Sequence, residues 1–400
     1  MKKVVLSAAA LMFGAVMVAQ SNTSKVVSTG NDNASMVVQT GAINDSDVKQ
    51  GGNKNLSDVK QTGKENKSRV DQSGSVFPGA VDNDAFVVQL GDKNSSTVIQ
   101  RRDRNLATTD QIGNSNRASL TQLSKDNISD IDQTGDFNKA SLTQLAGDFN
   151  NSDIDQLGDR NDAKTYQRGS FNFAVVDQAG DWNTSDINQN GNNNNASEMI
   201  QGDGNDVTIG QSGDSNSALV NATKNNPSFF ADDNNLYASQ VGNGNNVQVR
   251  VSGGDDNLVS TSQVGDNNYH RIGISGNDNV LTLDVDGNSN RGDWKIADSY
   301  PPNADNNNVE LVQNGNSNYS TGRVAGDNNG VVVSQVGNSN RVGTSWYTGD
   351  GVVINGDFNT SEIFQTGDMN SASSNQSGTY HVSNIVQTGH TNGATVFQSN

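Results

Sequence analysis

Residues 33–74 repeat one phrase four times: NASMVVQTGAI, NDSDVKQGGNK, NLSDVKQTGKE and NKSRVDQSG. Each copy keeps the order Asn-x-Ser-x-Val-x-Gln-x-Gly, so fixed positions alternate with variable ones over seven residues before a glycine. Alternation with a period of two predicts a strand, and the glycine indicates a tight turn. Repetition of a short unit at a fixed period is typical of a solenoid.

The composition alone is equally compatible with a disordered polymer rich in Asn, Gln and Gly. Only 32% of the 400 residues are hydrophobic, 6% are aromatic, and the formal charge is −18. The repeat favours a folded solenoid, because a disordered chain has no reason to keep strand-length alternation in register. The absence of cysteine excludes disulfides and Cys-based metal or redox sites. The acidity argues against nucleic acid or an anionic membrane as the main partner.

The first nineteen residues differ in kind from the rest. Lys2 and Lys3 precede the apolar run of residues 4–18, and Ala19 is followed by the polar Gln20. This pattern predicts a secretory signal peptide over residues 1–19, which leaves residues 20–400 as a single exported solenoid. No later apolar run is long enough to cross a bilayer, so no integral membrane segment is expected after the signal is removed.

The repeat continues along the chain at intervals of about eleven residues. Four segments break the interval: residues 75–82, 223–233, 297–306 and 343–351. All four prolines of the protein lie in the first three of these segments. Proline cannot donate a hydrogen bond to a neighbouring strand and is excluded from central strands. The four segments are therefore predicted to be short loop insertions that protrude from turns.

The charged and variable positions, such as Asp45, Asp47 and Lys49, are expected to face water, so the regular positions should lie inside. Two strands with their turns make one coil of 22 residues, and coils stack at about 4.8 Å. The sequence predicts an all-β fold: a two-sheet, cross-β-like β-solenoid of about sixteen strand-turn-strand coils, with four short loop insertions.

A half-polar interior is costly unless its amides are paired, and stacking places each amide over its equivalent in the next coil. We expect asparagine to bond turn backbone as well and glycine to supply positive φ. The predicted glutamine ladder is Gln39, Gln50, Gln61, Gln72, Gln89, Gln100, Gln111, Gln122, Gln133, Gln144, Gln156, Gln167, Gln178, Gln189, Gln365, Gln376, Gln387 and Gln398. The same phase includes Gln201, Gln211, Gln240, Gln263, Gln313 and Gln335. The predicted asparagine ladder is Asn33, Asn44, Asn55, Asn66, Asn83, Asn94, Asn105, Asn116, Asn127 and Asn138, and the same interval leads to Asn195 and Asn205. The predicted turn glycines are Gly41, Gly52, Gly63, Gly74, Gly113 and Gly135.

The phrase extends nearly to Asn400, and no helical or proline-rich cap is expected to follow it. An uncapped edge offers unpaired backbone groups to another chain, and end-to-end addition of like subunits gives an open filament. The chain is therefore expected to be its own partner in a homopolymer.

The ordered core Gln-x-Gly-x-x-Asn-x-Ala/Ser, as in residues 111–118 and 133–140, resembles the curlin repeat of bacterial curli, which are functional amyloids. The resemblance covers almost all of the chain beyond the signal. It implies secretion through an outer-membrane pore, a nucleator subunit, extracellular fibres on the cell surface, and roles in biofilm matrix and adhesion. Whether the chain is a major subunit or a nucleator stays open.

No catalytic, cofactor-binding or metal-binding residues are expected. His270 and His381 fall in the inward phase and His390 in a turn, without a partner in step, and no local cluster indicates an enzyme. The acidic turns at residues 202–206 and 253–257 resemble calcium-binding repeats, but glutamine fills the key position. The outward residues are too mixed for an ice-binding surface. The main alternative is a monomeric surface adhesin or surface-layer solenoid, which would carry a capping terminus.

Overall fold

The computed structural model describes residues 21–74, 80–223, 231–297, 304–343 and 351–400. The predicted signal peptide and all four prolines lie outside the described residues, and so does most of each insertion. The described part contains no helix long and apolar enough to cross a lipid bilayer.

The described residues form thirty-four strands. In chain order they are β1 (Thr23–Thr29), β2 (Ala34–Ala42), β3 (Asp45–Asn53), β4 (Leu56–Lys64), β5 (Lys67–Ser73), β6 (Ala80–Val81), β7 (Asp84–Leu90), β8 (Ser95–Gln100), β9 (Leu106–Ile112), β10 (Arg117–Gln122), β11 (Ile128–Thr134), β12 (Lys139–Ala146), β13 (Asn151–Leu157), β14 (Asp162–Arg168), β15 (Phe173–Ala179), β16 (Thr184–Asn190), β17 (Asn195–Gln201), β18 (Asp206–Ser212), β19 (Ser217–Thr223), β20 (Asn235–Val241), β21 (Asn246–Ser252), β22 (Leu258–Val264), β23 (Tyr269–Ile274), β24 (Val280–Asp286), β25 (Arg291–Ile296), β26 (Asn308–Asn314), β27 (Tyr319–Ala325), β28 (Gly330–Val336), β29 (Arg341–Val342), β30 (Val352–Asn355), β31 (Thr360–Thr366), β32 (Ser371–Ser377), β33 (Val382–Thr388) and β34 (Gly393–Ser399).

The strands form two parallel sheets between which the chain alternates. Sheet 1 contains β1, β3, β5, β6, β8, the even-numbered strands from β10 to β28, β31 and β33, and sheet 2 contains the others. Each strand pairs in parallel with its equivalent one coil further on, and Gln122 for example lies beside Gln144, 22 residues away. A coil is one strand of sheet 1 and the next strand of sheet 2, so coil 1 is β1 with β2 and coil 16 is β33 with β34. The predicted two-sheet β-solenoid of about sixteen coils is confirmed.

Burial alternates along nearly every strand, because side chains on a strand point to opposite faces. In β11, Ser129, Ile131 and Gln133 are buried, whereas Asp130 and Asp132 face outwards. The fixed positions of the repeat therefore form the narrow core between the sheets. Its apolar layer is built mainly from Val, Ile, Leu and Ala of both sheets.

Most turns use two residues with positive φ. The first is a glycine such as Gly41, at φ 103°, where a Cβ atom would overlap the carbonyl oxygen of Gly63 in the next coil. The second directly precedes the ladder asparagine and need not be glycine, as Ile43 at φ 59° and Phe137 at φ 61° illustrate. Gly52, Gly63, Gly113 and Gly135 also have positive φ, whereas Gly74 borders the undescribed residues 75–79 and its turn role stays a prediction.

Three insertions come between the end of a strand and the following turn, as expected. The fourth does not, because Val342 of β29 lies beside Ser320 and Val352 of β30 lies beside Gly322, both in β27. The described residues on the two sides of the fourth gap therefore belong to one strand position of coil 14 and not to a turn, which differs from the expected place of the insertion. Paired residues on both sides keep the coil in register, so the stack tolerates a break within a strand.

Candidate functional site in the polar ladders

Glutamine side chains form a hydrogen-bonded row inside each sheet. In each row the Nε2 of one glutamine donates to the Oε1 of the glutamine in the next coil, as from Gln61 to Gln89 at 2.8 Å and from Gln50 to Gln72 at 3.1 Å. The row in sheet 1 contains Gln50, Gln72, Gln100, Gln122, Gln144, Gln167, Gln189, Gln211, Gln240 and Gln263, and then Gln313, Gln335, Gln365 and Gln387. The row in sheet 2 contains Gln39, Gln61, Gln89, Gln111, Gln133, Gln156 and Gln178, and then Gln376 and Gln398.

The same amides also connect the two sheets. Gln122 Nε2 donates to the backbone carbonyl of Leu106 in sheet 2 at 3.0 Å, and Gln133 Nε2 donates to that of Arg117 in sheet 1 at 3.3 Å. One amide thus uses its hydrogens both along the stack and across it. Since a buried polar group without partners costs roughly 1–3 kcal/mol, this double use makes a polar interior tolerable.

Asparagine rows at the turns run in the opposite direction. Asn66 donates from its backbone N–H to Asn44 Oδ1 at 3.1 Å, toward the start of the chain. The Nδ2 of Asn44 then donates to the carbonyl of the turn glycine Gly63 at 3.0 Å. The structure places the predicted asparagines from Asn44 to Asn138 in these buried rows, and Asn33 half-buried at their start.

The phase predicted for β17 was wrong by one residue. Asn194, not Asn195, is the buried asparagine, and Ile200, not Gln201, lies beside Gln178. The turn fixes this frame, because Gly191 is followed three residues later by Asn194, as Gly41 is by Asn44. The run of four asparagines at residues 192–195 obscured the frame.

This shift ends the first part of the glutamine row in sheet 2. Ile200 offers no acceptor, and Gln178 Nε2 is buried without a hydrogen-bond partner. Apolar residues occupy the equivalent position in the next coils of sheet 2: Ala222, Val251, Ile274, Ile296, Val324 and Ile354. Glutamine returns only at Gln376.

In sheet 1 a histidine bridges the corresponding gap. Val285 stands between Gln263 and Gln313, and the buried His270 reaches across from sheet 2. Gln263 Nε2 lies 2.8 Å from His270 Nδ1, and His270 Nε2 lies 2.8 Å from Gln313 Oε1. The neutral tautomer with its proton on Nε2 therefore accepts from one glutamine and donates to the other, in the direction of the row.

Burial lowers the pKa of His270 to about 4, although the hydrogen bond to Gln313 acts in the opposite sense. The ring therefore stays neutral at physiological pH, as the relay requires. Gly292 makes room for it, because a Cβ atom there would lie 2.6 Å from His270 Cδ2. The repeat pattern does not predict this relay, since the relay joins residues in opposite sheets.

A second buried titratable group lies beside the break in sheet 2. Glu198 of β17 occupies an inward position, and the hydroxyl of Ser185 donates to its Oε2 at 2.6 Å. Burial raises the pKa of Glu198 well above its ordinary value, and the charges of Asp206 and Asp186 add to the rise. Burial in the core thus disfavours the charged form of Glu198.

A further turn row was missed by the sequence analysis. This row lies along the edge where the chain passes from sheet 2 to sheet 1. There, the side-chain oxygen of the residue after the turn glycine accepts a hydrogen bond from the backbone N–H of the equivalent residue one coil earlier. Asp136 Oδ1 accepts from Asn114 N, and Asp159 Oδ1 accepts from Asp136 N, both at 2.7 Å. The recurring Gly-Asp and Gly-Asn pairs were a signal that could have identified it.

The two ends of the described stack expose the interior rows. Val26 in β1 is 47% exposed, whereas its neighbour in register, Val48, is fully buried. At the other end, Val396 and Gln398 of β34 are half-buried, because no further described coil covers them. The glutamine row of sheet 2 therefore starts with an oxygen, Gln39 Oε1, and finishes with a nitrogen, Gln398 Nε2.

Within the described ranges, no group of three or more His, Asp or Glu side chains is placed to hold a metal ion. His381 Nε2 lies 3.1 Å from the carbonyl oxygen of Ser377, and His390 Nδ1 lies 3.6 Å from Asp368 Oδ2. The three histidines are thus dispersed: one in the core, one in the asparagine position of coil 16 and one in a turn.

The site consists of stacked amide rows inside a two-sheet solenoid. Three segments match the family model for the curlin associated repeat, residues 43–74, 125–158 and 158–191, so the chain contains curlin repeats, as the sequence predicts. No curated protein matches the chain. The repeats and the fold fit a curli-like structural protein, and the family is structural and not enzymatic.

Proposed function

We propose that this protein is a subunit of an extracellular functional amyloid fibre of the curli type, in which folded solenoids add end to end. The observation that carries the proposal is the matched polarity of the two ends. The glutamine row of sheet 2 presents an acceptor at coil 1 and a donor at coil 16, and the asparagine row presents the reverse.

In the proposed joint, Gln398 Nε2 of one subunit donates to Gln39 Oε1 of the next, which continues the existing row. Asn33 N–H of that next subunit donates in return to Asn392 Oδ1, as Asn55 N–H donates to Asn33 within the chain. Both bonds form only when coil 16 meets coil 1, so the contact is heterologous. Such a contact repeats without closing and yields an open filament.

The joint in sheet 1 uses weaker substitutes for the same partners. Gln387 is followed across the joint by Ser28, which stands where the next coil carries Gln50. Asn22 meets His381, which stands where the preceding coil carries Asn359. The joint is thus less perfect than the interior, which keeps the solenoid itself more stable than the contact between subunits.

The proposal includes a route to the cell surface. Residues 1–19 act as a secretory signal, and residues 20–400 form the single exported solenoid. A curli-type outer-membrane pore and a nucleator subunit are the partners that the family suggests, and the fibre contributes to biofilm matrix and adhesion. Outward charge along the strands would slow premature pairing before export.

The test is assembly of purified residues 20–400, followed by thioflavin fluorescence and electron microscopy, with sonicated fibres as seeds. We expect nucleated growth of unbranched fibres. Gln398→Leu and Gln39→Leu should slow seeded elongation by about tenfold or more, since each removes one side of the joint. Val38→Leu and Phe397→Leu, at adjacent outward positions, are the matched controls.

Lasting monomers with a folded β spectrum would overturn the fibre proposal and favour a monomeric surface adhesin. Equal elongation rates for the end variants and their controls would leave fibres in place but contradict the proposed joint.

A further inference from the structure

The outer face of sheet 2 carries opposite charges in its two halves. Among described outward residues of coils 1–8, the charged ones are Lys60, Lys64 and the aspartates Asp58, Asp84, Asp110, Asp130, Asp132, Asp153, Asp155 and Asp177. In coils 9–16 they are Asp293 and the cations Arg250, Arg271, Arg291, Lys295, Arg323 and Arg341. One half of the face is strongly acidic and the other strongly basic, in a protein whose net charge is −18.

The acidic half is concentrated in one column of adjacent strands. Asp110, Asp132, Asp155 and Asp177 lie side by side in register in coils 4 to 7. Strand neighbours are about 4.8 Å apart, so these carboxylates repel one another. Burial, together with the charges of Asp130 and Asp110, raises the pKa of Asp132 to about 6. This repulsion destabilises the isolated face, and cations of another molecule placed against it would reduce the repulsion.

The basic half uses the same column. In coils 10 to 13 the equivalent residues are Arg250, Gly273, Lys295 and Arg323. The centres of the two groups lie at equal distances from the middle of the sixteen coils. The column is therefore complementary to its own reversed copy.

We propose that the outer face of sheet 2 is a self-association surface on which a second copy of this chain docks face to face with its solenoid axis reversed. A two-fold axis along the strand direction at the junction of coils 8 and 9 produces this arrangement. It places coil 4 against coil 13, coil 5 against coil 12 and coil 7 against coil 10. The contact is isologous, and it needs only the folded solenoid and no end-to-end joint.

Three of the four carboxylates in the column face a cation. Asp110 faces Arg323, Asp132 faces Lys295, and Asp177 faces Arg250 of the other copy, whereas Asp155 faces Gly273. Outside these pairs, Val88 in coil 3 faces Val353 in coil 14, so apolar contacts flank the charges. Two neighbouring columns add Asp84 against Arg341 and Asp153 against Arg271.

One contact opposes the pairing, because Asp130 in coil 5 would face Asp293 in coil 12. Asp293 is already hydrogen-bonded to Arg271 within the chain, which reduces this repulsion. The alternative with parallel axes reverses the strand direction and places each coil against the same coil of the other copy, so the acidic column would face Thr108, Asp130, Asp153 and Val175. That column offers two further carboxylates and no cation, so the antiparallel arrangement is favoured.

The area is sufficient for a specific contact. Coils 4 to 13 span about 48 Å along the axis and a seven-residue strand about 23 Å, which gives roughly 1,000 Å² per partner. Stable pairs of proteins commonly bury about 800 Å² per partner. In a fibre of such subunits, the same face would pair neighbouring filaments in opposite directions.

The first test is sedimentation velocity of the soluble mature chain at about 0.05 M and about 0.5 M salt, since exposed charge pairs are screened by salt. We expect a dimer at low salt that is weakened at high salt. A variant with Asp110→Asn, Asp132→Asn, Asp155→Asn and Asp177→Asn should raise the dimer Kd by about tenfold or more. It should not unfold, because carboxylate repulsion is removed.

The matched control changes the net charge equally on the outer face of sheet 1: Asp47→Asn, Asp186→Asn, Asp284→Asn and Glu310→Gln. The dimer Kd should stay within about twofold of the wild type. Equal weakening by both variants, or no dimer in the wild type at low salt, would overturn the proposal. Fibre growth of the wild type is scored separately, so this result does not depend on the end-to-end joint.

A charge exchange tests the pairing directly. One variant carries Arg250→Asp, Lys295→Asp and Arg323→Asp, and the other carries Asp110→Lys, Asp132→Lys and Asp177→Lys. Neither should pair with itself, whereas an equimolar mixture should form dimers. Absence of mixed dimers from two folded variants would contradict the facing residues.

Orientation is tested by cysteine crosslinking, which is clean because the chain contains no cysteine. Chains with Val88→Cys and Val353→Cys, mixed and mildly oxidised, should give an intermolecular disulfide. Ile99→Cys with Val312→Cys, at outward positions of coils 4 and 13 in sheet 1, should give much less product. A yield no higher than that of this control would exclude the antiparallel arrangement.

Discussion

In both sheets an apolar residue interrupts the glutamine row, but the effect on the hydrogen bonds of the row differs between the sheets. In sheet 1, Val285 interrupts the row, and His270 carries the hydrogen bonds past it. In sheet 2, Ile200 interrupts the row, Gln178 is left with a buried Nε2 lacking a partner, and the row stays apolar for several coils. The end of a glutamine row is thus a costly place in this interior, because it leaves a buried amide nitrogen without a hydrogen-bond partner.

The largest expected effect comes from removing the relay. His270→Ala removes the hydrogen bonds of the ring to Gln263 Nε2 and Gln313 Oε1 and creates a cavity, so the free energy of unfolding should fall by about 3–5 kcal/mol. Chemical denaturation of the soluble solenoid measures the change. The double variant His270→Ala with Val285→Gln restores a direct glutamine row and should recover more than half of the loss. A double variant no more stable than His270→Ala would contradict the relay.

The next effect separates the middle of a row from its end. Gln133→Leu removes hydrogen bonds to Gln111 and Gln156 and should cost about 2–3 kcal/mol, whereas Gln178→Leu breaks one such bond and removes an orphaned donor. Fibre assembly should slow in the same order, with Gln122→Leu similar to Gln133→Leu. Lys139→Leu, at an outward site, is the control. Equal slowing by Lys139→Leu and Gln133→Leu would mean that the inside and outside are wrongly assigned.

A smaller effect concerns the acid next to the break in sheet 2. Because burial raises the pKa of Glu198 above 4.5 in the folded state, its contribution to stability is complete below about pH 4.5 and is lost as the pH rises through the folded pKa. Glu198→Gln removes this loss. We expect the variant to be more stable than the wild type at pH 7, by about 1 kcal/mol, and to show no gain near pH 4. Thermal unfolding at both pH values checks this, and a pH-independent difference would refute it.

The smallest effect arises because His270 and two aspartates change the stability in opposite directions as the pH changes. The pKa of His270 is lowered to about 4, so its contribution is present above 6.5 and is lost as the pH falls toward 4. The pKa values of Asp132 and Asp153 are raised to about 6, mainly by burial, so their contributions are lost as the pH rises from 3.8 through 6. The two trends oppose each other in the same interval.

Asp132→Asn with Asp153→Asn should therefore expose the acid sensitivity that His270 imposes. The stability of this variant should decline more steeply than that of the wild type between pH 6.5 and pH 4. Unfolding midpoints across the interval provide the measurement. Parallel curves for the two proteins would show that the aspartates do not offset His270.

The coil could be predicted from the sequence because its fixed positions are periodic and carry amide side chains that need hydrogen-bond partners when they are buried. Gln61 or Asn66 inside a strand-length alternation leaves few alternatives, since a buried amide must find a partner and the identical neighbour provides one. The frame of β17 failed because four consecutive asparagines remove the contrast that marks the turn.

Other features of the structure could not be predicted from the repeat pattern. The His270 relay depends on a contact across the core with Gln313, 43 residues away. The second positive-φ residue of each turn has no compositional signature, since Ile43, Phe137 and Asp126 all occupy it. The separation of acidic and basic residues on the outer face of sheet 2 is not evident in the sequence. Consecutive strands belong to alternate sheets, so the outward residues of the two sheets are interleaved along the chain.

The opposed directions of the two amide rows have a consequence for long assemblies. Side-chain amides carry dipoles, and aligned dipoles add, as they do along an α-helix. Here the glutamine row donates toward coil 16 and the asparagine row donates toward coil 1, so the dipoles of the two rows oppose each other. A rod built from this coil would accumulate less electrical asymmetry from its side chains than a rod with glutamine rows alone, yet each tip would stay chemically distinct.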